Sequence, residues 1–562
     1  MVDAMPRGES LSVFHNPVIS GFHPDPSVCR VGNDYYLAVS SFAYLPGIPL
    51  FHSTNLTDWE PIGHVFDRPG MVDLSGLDVS DGLWAPTIRH HRGLFYVVTT
   101  IARNRRGAVP LLSTAADPAG PWSAPVVLDA EGIDPSLFFD DDGRCWFTCC
   151  RDAENPALTG PGELWMRELD LTTLALTGPD FGLWHGALRG AWVEAPHIFR
   201  RGEAYFLVAA EGGTEGNHSV TVARADSVTG PYAGDPRNPL LTHRHLGPDA
   251  PIQNVGHADL VETASGQTWA VVLGTRPVAG FQLLGREVFL VPVEWTDRGP
   301  VFAPGRGQVR AVEQRPATGG PNSGSLGGSV GRSGAVGGSG PLGGAAALRF
   351  PAGSGAAGRE WLSLRGLPQA PDASGGFTVP LRPDTLAGTG VPAFMGRRQE
   401  HADFEFSLVL DWTPADGRPG VRGEEAGLAI HQGAAGFATA TVQQLGGERI
   451  LELAAVTGTG RSSLATAVLP PGPVRIRVST AGRDYVLDYE ALDAEPAEFE
   501  GLDAEPAARG RRPLGRVDGR ILSTELVGGF VGVVLGPYAT SNGQPTTASA
   551  RFSDFSYRPA GA

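Results

Sequence analysis

The chain has 562 residues, of which 41% are hydrophobic and 19% charged, so it can bury a large core and is long enough for at least two domains. Its formal net charge is −16, and none of its 44 basic residues is a lysine. We therefore expect neither a nucleic acid nor an anionic membrane as partner, because phosphate binding needs clustered cations. A phosphate-binding loop that ends in lysine is excluded as well.

The N-terminus indicates a cytoplasmic protein, and the cysteines do not indicate a zinc site. Residues 1–17 contain no apolar core of signal-peptide length, and no segment is long enough to span a bilayer. The four cysteines, Cys29, Cys145, Cys149 and Cys150, lack the paired spacing of zinc sites. We interpret them as buried thiols without a metal or disulfide role.

Five segments of the first half share one pattern, in which an apolar strand, a Gly or Asp turn and a second strand rich in aromatic residues follow one another. They start at Asp25, Ala85, Asp134, Ala195 and His257, at intervals of 60, 49, 61 and 62 residues. No amphipathic helix separates them, so each unit is typical of a four-stranded blade. The sequence predicts an all-β fold with a five-bladed β-propeller over residues 1–312.

The first strand of each propeller blade lies near the central axis, so equivalent positions of the repeats should converge there. In chain order they hold Asp25, the Trp84–Ala85 pair, Asp134, the Glu194–Ala195 pair and His257. By itself, the segment GFHPDPSV (21–28) is more typical of a turn that starts a strand than of a catalytic site. Gathering several acids in one cavity costs stability, however, and the repetition therefore favours a functional interpretation.

Three acids and an aromatic side chain, without a Ser or Cys triad or a cofactor loop, are the groups that glycoside hydrolysis requires. One carboxylic acid protonates the leaving oxygen, and an ionised carboxylate activates water or attacks the anomeric carbon. A third carboxylate near the acid disfavours its ionisation and can orient it. Trp84 would offer an apolar face to the sugar ring.

Five motifs, NPVISGFHPDPSV, GIDPSLFFDDDG, WVEAPHIF, GHADLV and LGREVFLVPVEW, resemble those of the β-xylosidases and α-L-arabinofuranosidases of glycoside hydrolase family 43. The resemblance covers about residues 14–305. It implies that Asp25 is the general base, that Asp134 orients the acid and tunes its pKa, and that Glu194 is the general acid. The family inverts the anomeric configuration, which implies a separation of roughly 6.5–9.5 Å between the carboxyl groups of Asp25 and Glu194.

The resemblance also extends to three further residues. Arg286, in LGRE, resembles an arginine that binds the sugar hydroxyls, although a salt bridge at the rim with Glu287 or another acid is an alternative. Phe42 resembles an aromatic residue lining the sugar pocket, and its alternative is a core position at the end of a strand. His257 resembles a histidine beside a structural calcium ion, often reached through water; no cofactor is otherwise required.

The composition and the strand pattern change in the second half of the chain. Residues 313–346 are rich in Gly and Ser and predict a flexible linker. Residues 347–562 contain alternating strands that predict a β-sandwich, and the family resemblance implies a lectin-like jelly roll with a loop that helps to close the pocket. The repeated LDAEPA at 492–497 and 502–507 is interpreted as an inserted loop.

We therefore predict an inverting exo-glycosidase that removes terminal β-D-xylosyl residues from imported xylo-oligosaccharides. An α-L-arabinofuranosidase is the first alternative, because the two sugars present similar ring faces and hydroxyls. A carbohydrate-binding protein without catalysis is the second, although the presence of all three acids argues against it. Homo-oligomerisation, linkage preference and metal binding are left open.

Overall fold

The computed structural model describes residues 12–103, 106–188, 190–317, 348–349, 358–414, 423–493 and 510–560. The predicted linker lies outside these ranges except for residues 313–317, and so does most of the segment that contains the LDAEPA repeat, from 494 to 509. Within the described ranges, neither of the two short α-helices could cross a membrane. All four cysteines are buried free thiols, as predicted.

The N-terminal half consists of strands in five four-stranded antiparallel sheets. The strands of the first two sheets, with two short strands outside them, are β1 (Val13–His15), β2 (Ser27–Val31), β3 (Asp34–Ala38), β4 (Tyr44–Leu45), β5 (Gly47–Ser53), β6 (Glu60–Phe66), β7 (Gly82–His91), β8 (Leu94–Arg103), β9 (Arg106–Ala115) and β10 (Val126–Val127). The third sheet and its helix are β11 (Ile133–Phe139), β12 (Cys145–Asp152), α1 (Pro156–Thr159), β13 (Gly162–Asp170) and β14 (Ala175–Trp184). The fourth and fifth sheets, with a final short strand, are β15 (Val193–Arg201), β16 (Ala204–Glu211), β17 (Ser219–Ala225), β18 (Ala233–Gly234), β19 (Gln253–Glu262), β20 (Thr268–Thr275), β21 (Glu287–Thr296), β22 (Gly299–Phe302) and β23 (Val312–Gln314).

The five sheets close into a ring through their first strands. Strand β2 contacts β7, β7 contacts β11, β11 contacts β15, β15 contacts β19, and β19 contacts β2. Strand β1 pairs with β23, so the two ends of this half meet. The hairpins within a sheet are tight: Arg92 and Gly93 both have positive φ (48° and 82°) between β7 and β8, as a two-residue hairpin turn requires.

Each repeat start adopts the same unusual backbone conformation. The φ angles are 56° at Asp25, 34° at Ala85, 55° at Asp134, 53° at Ala195 and 49° at His257. Positive φ is uncommon outside glycine and costs about 1–3 kcal/mol per residue, so it persists where the surrounding structure enforces it, often at active sites. In β7, β11, β15 and β19 the pairing register shifts at this point. The repeats read from the sequence are therefore equivalent in three dimensions.

The C-terminal half forms two further sheets. Its elements are β24 (Leu348–Arg349), β25 (Leu362–Leu364), β26 (Phe377–Pro380), β27 (Ala393–Arg398), β28 (Phe404–Asp411), β29 (Glu425–Gly433), β30 (Gly436–Leu445), β31 (Glu448–Thr457), β32 (Gly460–Val468), β33 (Val474–Ala481), β34 (Asp484–Ala491), β35 (Arg512–Val517), a 3₁₀ turn (Gly519–Leu522), α2 (Thr524–Val527), β36 (Val534–Thr540) and β37 (Ser549–Pro559). One sheet has the order β24-β37-β28-β33-β34-β35, with β26 beside β37, and the other β32-β31-β30-β29-β36-β27-β25-β4. Side chains of both sheets share one apolar core, to which β28 contributes Phe406 and Leu408 and β29 contributes Leu428 and Ile430.

The two halves are joined by strand pairing as well as by side chains. Strand β4 of the N-terminal half is the edge strand of the C-terminal sheet and pairs with β25. The backbone N–H of Arg365 donates to the Ala43 carbonyl at 2.7 Å, and the Tyr44 hydroxyl lies 3.0 Å from Nδ1 of His431. A single apolar cluster contains residues of both halves, among them Phe22 and Phe394. The C-terminal half is thereby held against the open face of the ring.

Candidate active site

A cavity of about 410 Å³, including its open mouth, lies where the first strands of the five sheets meet. It is lined by Asp25, Phe42, Trp84, Ile133, Asp134, Glu194, Thr214, His257, Arg286 and Phe530. Every site residue predicted from the sequence is in this lining. The positive-φ positions account for the convergence, because the same turn of the backbone occurs at the start of each first strand.

Asp25 is held as a carboxylate by three neighbours. Its side chain is only 7% exposed. Oδ1 accepts a hydrogen bond from Nη1 of Arg286 at 2.7 Å, and Oδ2 accepts one from the Ser40 hydroxyl at 2.6 Å. Nδ1 of His257 lies 3.7 Å from Oδ1. Burial raises the pKa of Asp25, but Arg286, the imidazole of His257 and the hydroxyl hydrogen bond together hold that pKa below the usual aspartate value.

Arg286 lies inside the cavity, where it forms a salt bridge with Asp25, so its sugar-binding role stays a prediction. Glu287 is paired with Arg276 instead, through two contacts of 2.7 Å, so Arg286 does not form the alternative salt bridge with it. The Arg286 guanidinium lies 5.7 Å from the ring centres of both Phe42 and Phe530. Its Nε is buried without a hydrogen-bond partner among the described residues. Nη1 holds the carboxylate of Asp25, and the guanidinium has further N–H groups, those of Nη2 among them, that can donate to a ligand.

The other two acids are linked through the backbone of one strand. Asp134 and Glu194 are 7% and 6% exposed. Oδ2 of Asp134 accepts a hydrogen bond of 3.1 Å from the backbone N–H of Ala195, the residue that follows Glu194. Asp134 is therefore attached to the strand that carries Glu194, and it fixes the segment from which the Glu194 side chain extends.

Three aromatic rings form one wall of the cavity. The Phe42 ring is 5.9 Å from that of Trp84 and 6.1 Å from that of Phe530, and the last two are 5.5 Å apart. Ser80 holds Trp84 and Phe530 together. Its carbonyl accepts a hydrogen bond from Nε1 of Trp84, and its hydroxyl accepts one from the backbone N–H of Phe530. Phe42 is 2% exposed, so it is a core residue that also lines the cavity.

The axis below the acids is filled by a buried polar network. Asp259 accepts two hydrogen bonds from Arg89, at 2.8 and 3.1 Å, and one from the Ser27 hydroxyl at 2.7 Å. Nδ1 of His197 lies 3.0 Å from both Nη2 of Arg89 and the Ser136 hydroxyl. Burial raises the pKa of Asp259, but Arg89 and His197 outweigh it and lower the value to about 2. All five first strands contribute to this network, whose residues lie further along these strands than the positions that line the cavity.

The side chains around His257 do not fit a directly held calcium ion. Calcium takes six to eight oxygen ligands. In the described ranges, no group of three or more His, Cys, Asp or Glu side chains is placed to hold a metal. The carboxylate of Asp259 is already neutralised by the guanidinium of Arg89, which supplies a positive charge at the axis. Burial lowers the pKa of His257.

Several residues of the site were not predicted from the sequence. Ser40 falls at the end of the first repeat, Thr214 lies shortly after the fourth, and Phe530 comes from the segment between α2 and β36 in the other half of the chain. His218 is also buried near Asp25, with Nδ1 at 2.9 Å from the Asn254 carbonyl. A side chain at Gly256 would overlap the His218 ring, since a Cβ there would lie 2.4 Å from it. The sequence feature that could have indicated this close packing is Gly256, which directly precedes His257.

A ring of sheets with three buried acids, an arginine and an aromatic wall in one cavity defines a glycoside hydrolase. The profile of Glycosyl hydrolases family 43 matches residues 14–300, and that of the Beta xylosidase C-terminal Concanavalin A-like domain matches residues 356–558. The chain belongs to glycosyl hydrolase family 43.

Relatives match along the whole chain. The Xylosidase/arabinosidase of Butyrivibrio fibrisolvens is 36% identical over 560 residues, which cover 97% of this chain and 98% of that protein. A Non-reducing end alpha-L-arabinofuranosidase of Bacteroides ovatus is 32% identical, with coverage of 97% and 94%. Among solved structures, a xylan beta-1,4-xylosidase from Bacillus halodurans C-125 superposes with a TM-score of 0.82 at 28% identity, over 97% of this chain and all of that one.

Proposed function

We propose that the protein is an inverting exo-glycosidase that hydrolyses terminal β-D-xylosyl residues of xylo-oligosaccharides. In this proposal the five sheets are the blades of a β-propeller and the C-terminal half is a β-sandwich of the jelly-roll type. The observation that carries it is the cavity itself, in which Asp25 and Asp134 lie at two repeat starts, Glu194 lies directly before a third, and Arg286 lies beside them. The names of the relatives support the choice of substrate.

Asp25 acts as the general base. Its pKa is held below the usual value, so the carboxylate is ionised in the neutral range and can take a proton from water. Glu194 acts as the general acid and protonates the glycosidic oxygen, while Asp134 orients it through the backbone of Ala195. The water lies between Asp25 and the anomeric carbon, which requires a carboxyl separation of roughly 6.5–9.5 Å; this distance stays a prediction.

The shape of the cavity favours attack at a chain end. The Arg89–Asp259 network lies further along the first strands than the cavity lining, and Phe42, Trp84 and Phe530 form one wall. A cavity bounded in this way accepts one terminal sugar and excludes a continuous polysaccharide from passing through. A neutral substrate also suits a chain with a net charge of −16.

An α-L-arabinofuranosidase is the second candidate, because two relatives carry arabinosidase or arabinofuranosidase in their names. Rates on paired 4-nitrophenyl β-D-xyloside and α-L-arabinofuranoside separate the two assignments. A carbohydrate-binding role without catalysis is less well supported, because all three acids are present and buried. We further propose a cytoplasmic location, which suits imported oligosaccharides.

Replacement of the proposed general acid tests the assignment. Glu194→Ala should lower kcat on xylobiose by about 10²–10⁴-fold, the usual contribution of a positioned acid. The loss should be smaller on 4-nitrophenyl β-D-xyloside, whose leaving group needs little protonation. Glu203→Ala is the matched control, because Glu203 is exposed at the turn between β15 and β16. Parental hydrolysis of xylobiose by Glu194→Ala would remove Glu194 from the mechanism.

A further inference from the structure

A second concave surface lies beside the catalytic cavity, and we call it the outer groove. It encloses about 730 Å³, including its open side, and its lining contains Trp192, Gly212, Asn217 and Arg244. Trp192 directly precedes β15, the 212–218 loop follows β16, and Arg244 lies between β18 and β19. Since β15 and β19 both begin next to the catalytic cavity, these segments are on the face where that cavity opens.

The outer groove and the catalytic cavity share two walls. In the β15–β16 ladder, Val193 pairs with Glu211 and Glu194 with Ala210. Side chains two positions apart on a strand point to the same side and lie about 7 Å apart, which places Trp192 on the Glu194 side of the strand. The loop between β16 and β17 borders both spaces, because Thr214 lines the cavity while Gly212 and Asn217 line the groove.

The position of the acid sets the direction in which the rest of the substrate extends. The general acid protonates the oxygen of the leaving group, so the leaving part of the oligosaccharide lies next to it. The rings of Phe42, Trp84 and Phe530 form another wall of the cavity. A substrate whose terminal sugar fills the cavity therefore extends past Glu194 towards the outer groove.

The walls of the groove are held in place before any ligand binds. Glu211 has no exposed surface and accepts hydrogen bonds from the N–H groups of Ala187 and Leu188, at 2.6 and 2.7 Å, and from the Thr221 hydroxyl at 2.7 Å. Gly212 has a φ of 92°, and a Cβ at this position would lie 2.3 Å from the Asn217 carbonyl oxygen. The loop can fold back this closely only with glycine there.

We propose that the outer groove is a leaving-group subsite for the second and third sugars of a neutral xylan-derived oligosaccharide. The proposal rests on the proposed function and deepens it. The half-buried indole of Trp192 offers an apolar face for a pyranose ring, and the exposed side chains of Asn217 and Arg244 donate hydrogen bonds to its hydroxyls. Trp192 and Arg244 are thus residues that determine the preference for oligosaccharides over simple glycosides.

The test compares kcat/KM on xylotriose, xylobiose and 4-nitrophenyl β-D-xyloside for the full chain and for two variants. Trp192→Ala should lower kcat/KM on xylotriose about fivefold to tenfold more than on the nitrophenyl substrate, the size of one lost aromatic contact. Arg244→Ala should lower kcat/KM on xylotriose about threefold more than on the nitrophenyl substrate, as expected for a solvent-exposed hydrogen bond. Arg306→Ala is the matched control, since Arg306 is exposed and lies outside both spaces.

The outcomes separate the two proposals. Equal losses on all three substrates, or no loss on xylotriose, would overturn the subsite. If the parental protein hydrolyses neither xylosides nor arabinofuranosides, the proposed function itself fails. Should Trp192→Ala not fold, as judged by circular dichroism, Arg244→Ala and Asn217→Ala decide the matter, because both side chains are exposed.

Discussion

Ser40 should contribute, together with Arg286 and His257, to the acidic limit of activity, because it donates a hydrogen bond to the proposed base. Its hydroxyl donates to Oδ2 of Asp25 at 2.6 Å and accepts from the N–H of Ala85 at 2.7 Å. This hydrogen bond favours the ionised form of Asp25 and lowers its pKa. Hydrogen bonds to charged groups contribute about 1.5–3 kcal/mol, and 1.36 kcal/mol corresponds to one pH unit. Ser40→Ala should therefore move the acidic limb of kcat/KM upward by about one to two pH units.

The direction of this shift follows from the ionisation state of Asp25 that is active. The base must be ionised, so a higher pKa of Asp25 removes activity at a pH where the parental enzyme still works. The assay is the pH dependence of kcat/KM on 4-nitrophenyl β-D-xyloside, with Ser41→Ala as the matched control. Ser41 is equally buried, but its hydroxyl accepts from the N–H of Ile48. An unmoved acidic limb in a folded, active Ser40→Ala enzyme would refute the assignment of Asp25 as base.

Further predictions concern the axis and the aromatic wall. Arg89→Met should destabilise the fold by about 3–5 kcal/mol, because the buried carboxylate of Asp259 loses its partner, whereas exposed Arg298→Met should leave the thermal midpoint unchanged. The folded pKa of Asp259 is about 2, so this contribution should be present above about pH 4 and lost as the pH falls towards 2, as urea titrations at several pH values would show. Chelator treatment should leave kcat unchanged, and a loss of rate restored by Ca²⁺ would contradict this expectation. Phe530→Ala should lower kcat/KM up to about tenfold, because it removes one wall of the cavity. Leu526→Ala, in the preceding helix α2, should leave kcat/KM unchanged, because Leu526 is 59% exposed.

The repeated pattern made the centre of the site predictable. Asp25, Asp134 and His257 were recognised as equivalent because each starts an apolar strand followed by an aromatic one, and all three share the same positive φ. The same alignment, continued by two residues, would also have found Ser27, Ser136, His197 and Asp259, each two positions after a repeat start. These four members of the buried polar network at the axis could thus have been predicted from the sequence.

The family resemblance implied that a loop of the C-terminal half helps to close the pocket, and Phe530 in the cavity lining agrees with it. Which residues make the contact could not be predicted from the sequence. Phe530 lies in VGGFVG, which has no counterpart in the repeats, and it reaches the cavity because β4 pairs with β25. Strand β4 has only two residues, Tyr44 and Leu45, too few to show a pattern. Likewise, Ser40 matters because the end of β3 lies against Ala85 of the next sheet, a contact that depends on how neighbouring sheets pack.

The stereochemistry of the first product tests the central claim most directly. Proton NMR during hydrolysis of xylobiose identifies the released sugar and its anomeric form before mutarotation. If Asp25 activates water opposite the leaving group, the first xylose released from the β-linked end should be the α-anomer. Initial release of β-xylose would mean that an acid of this cavity attacks the sugar directly, and it would contradict the account.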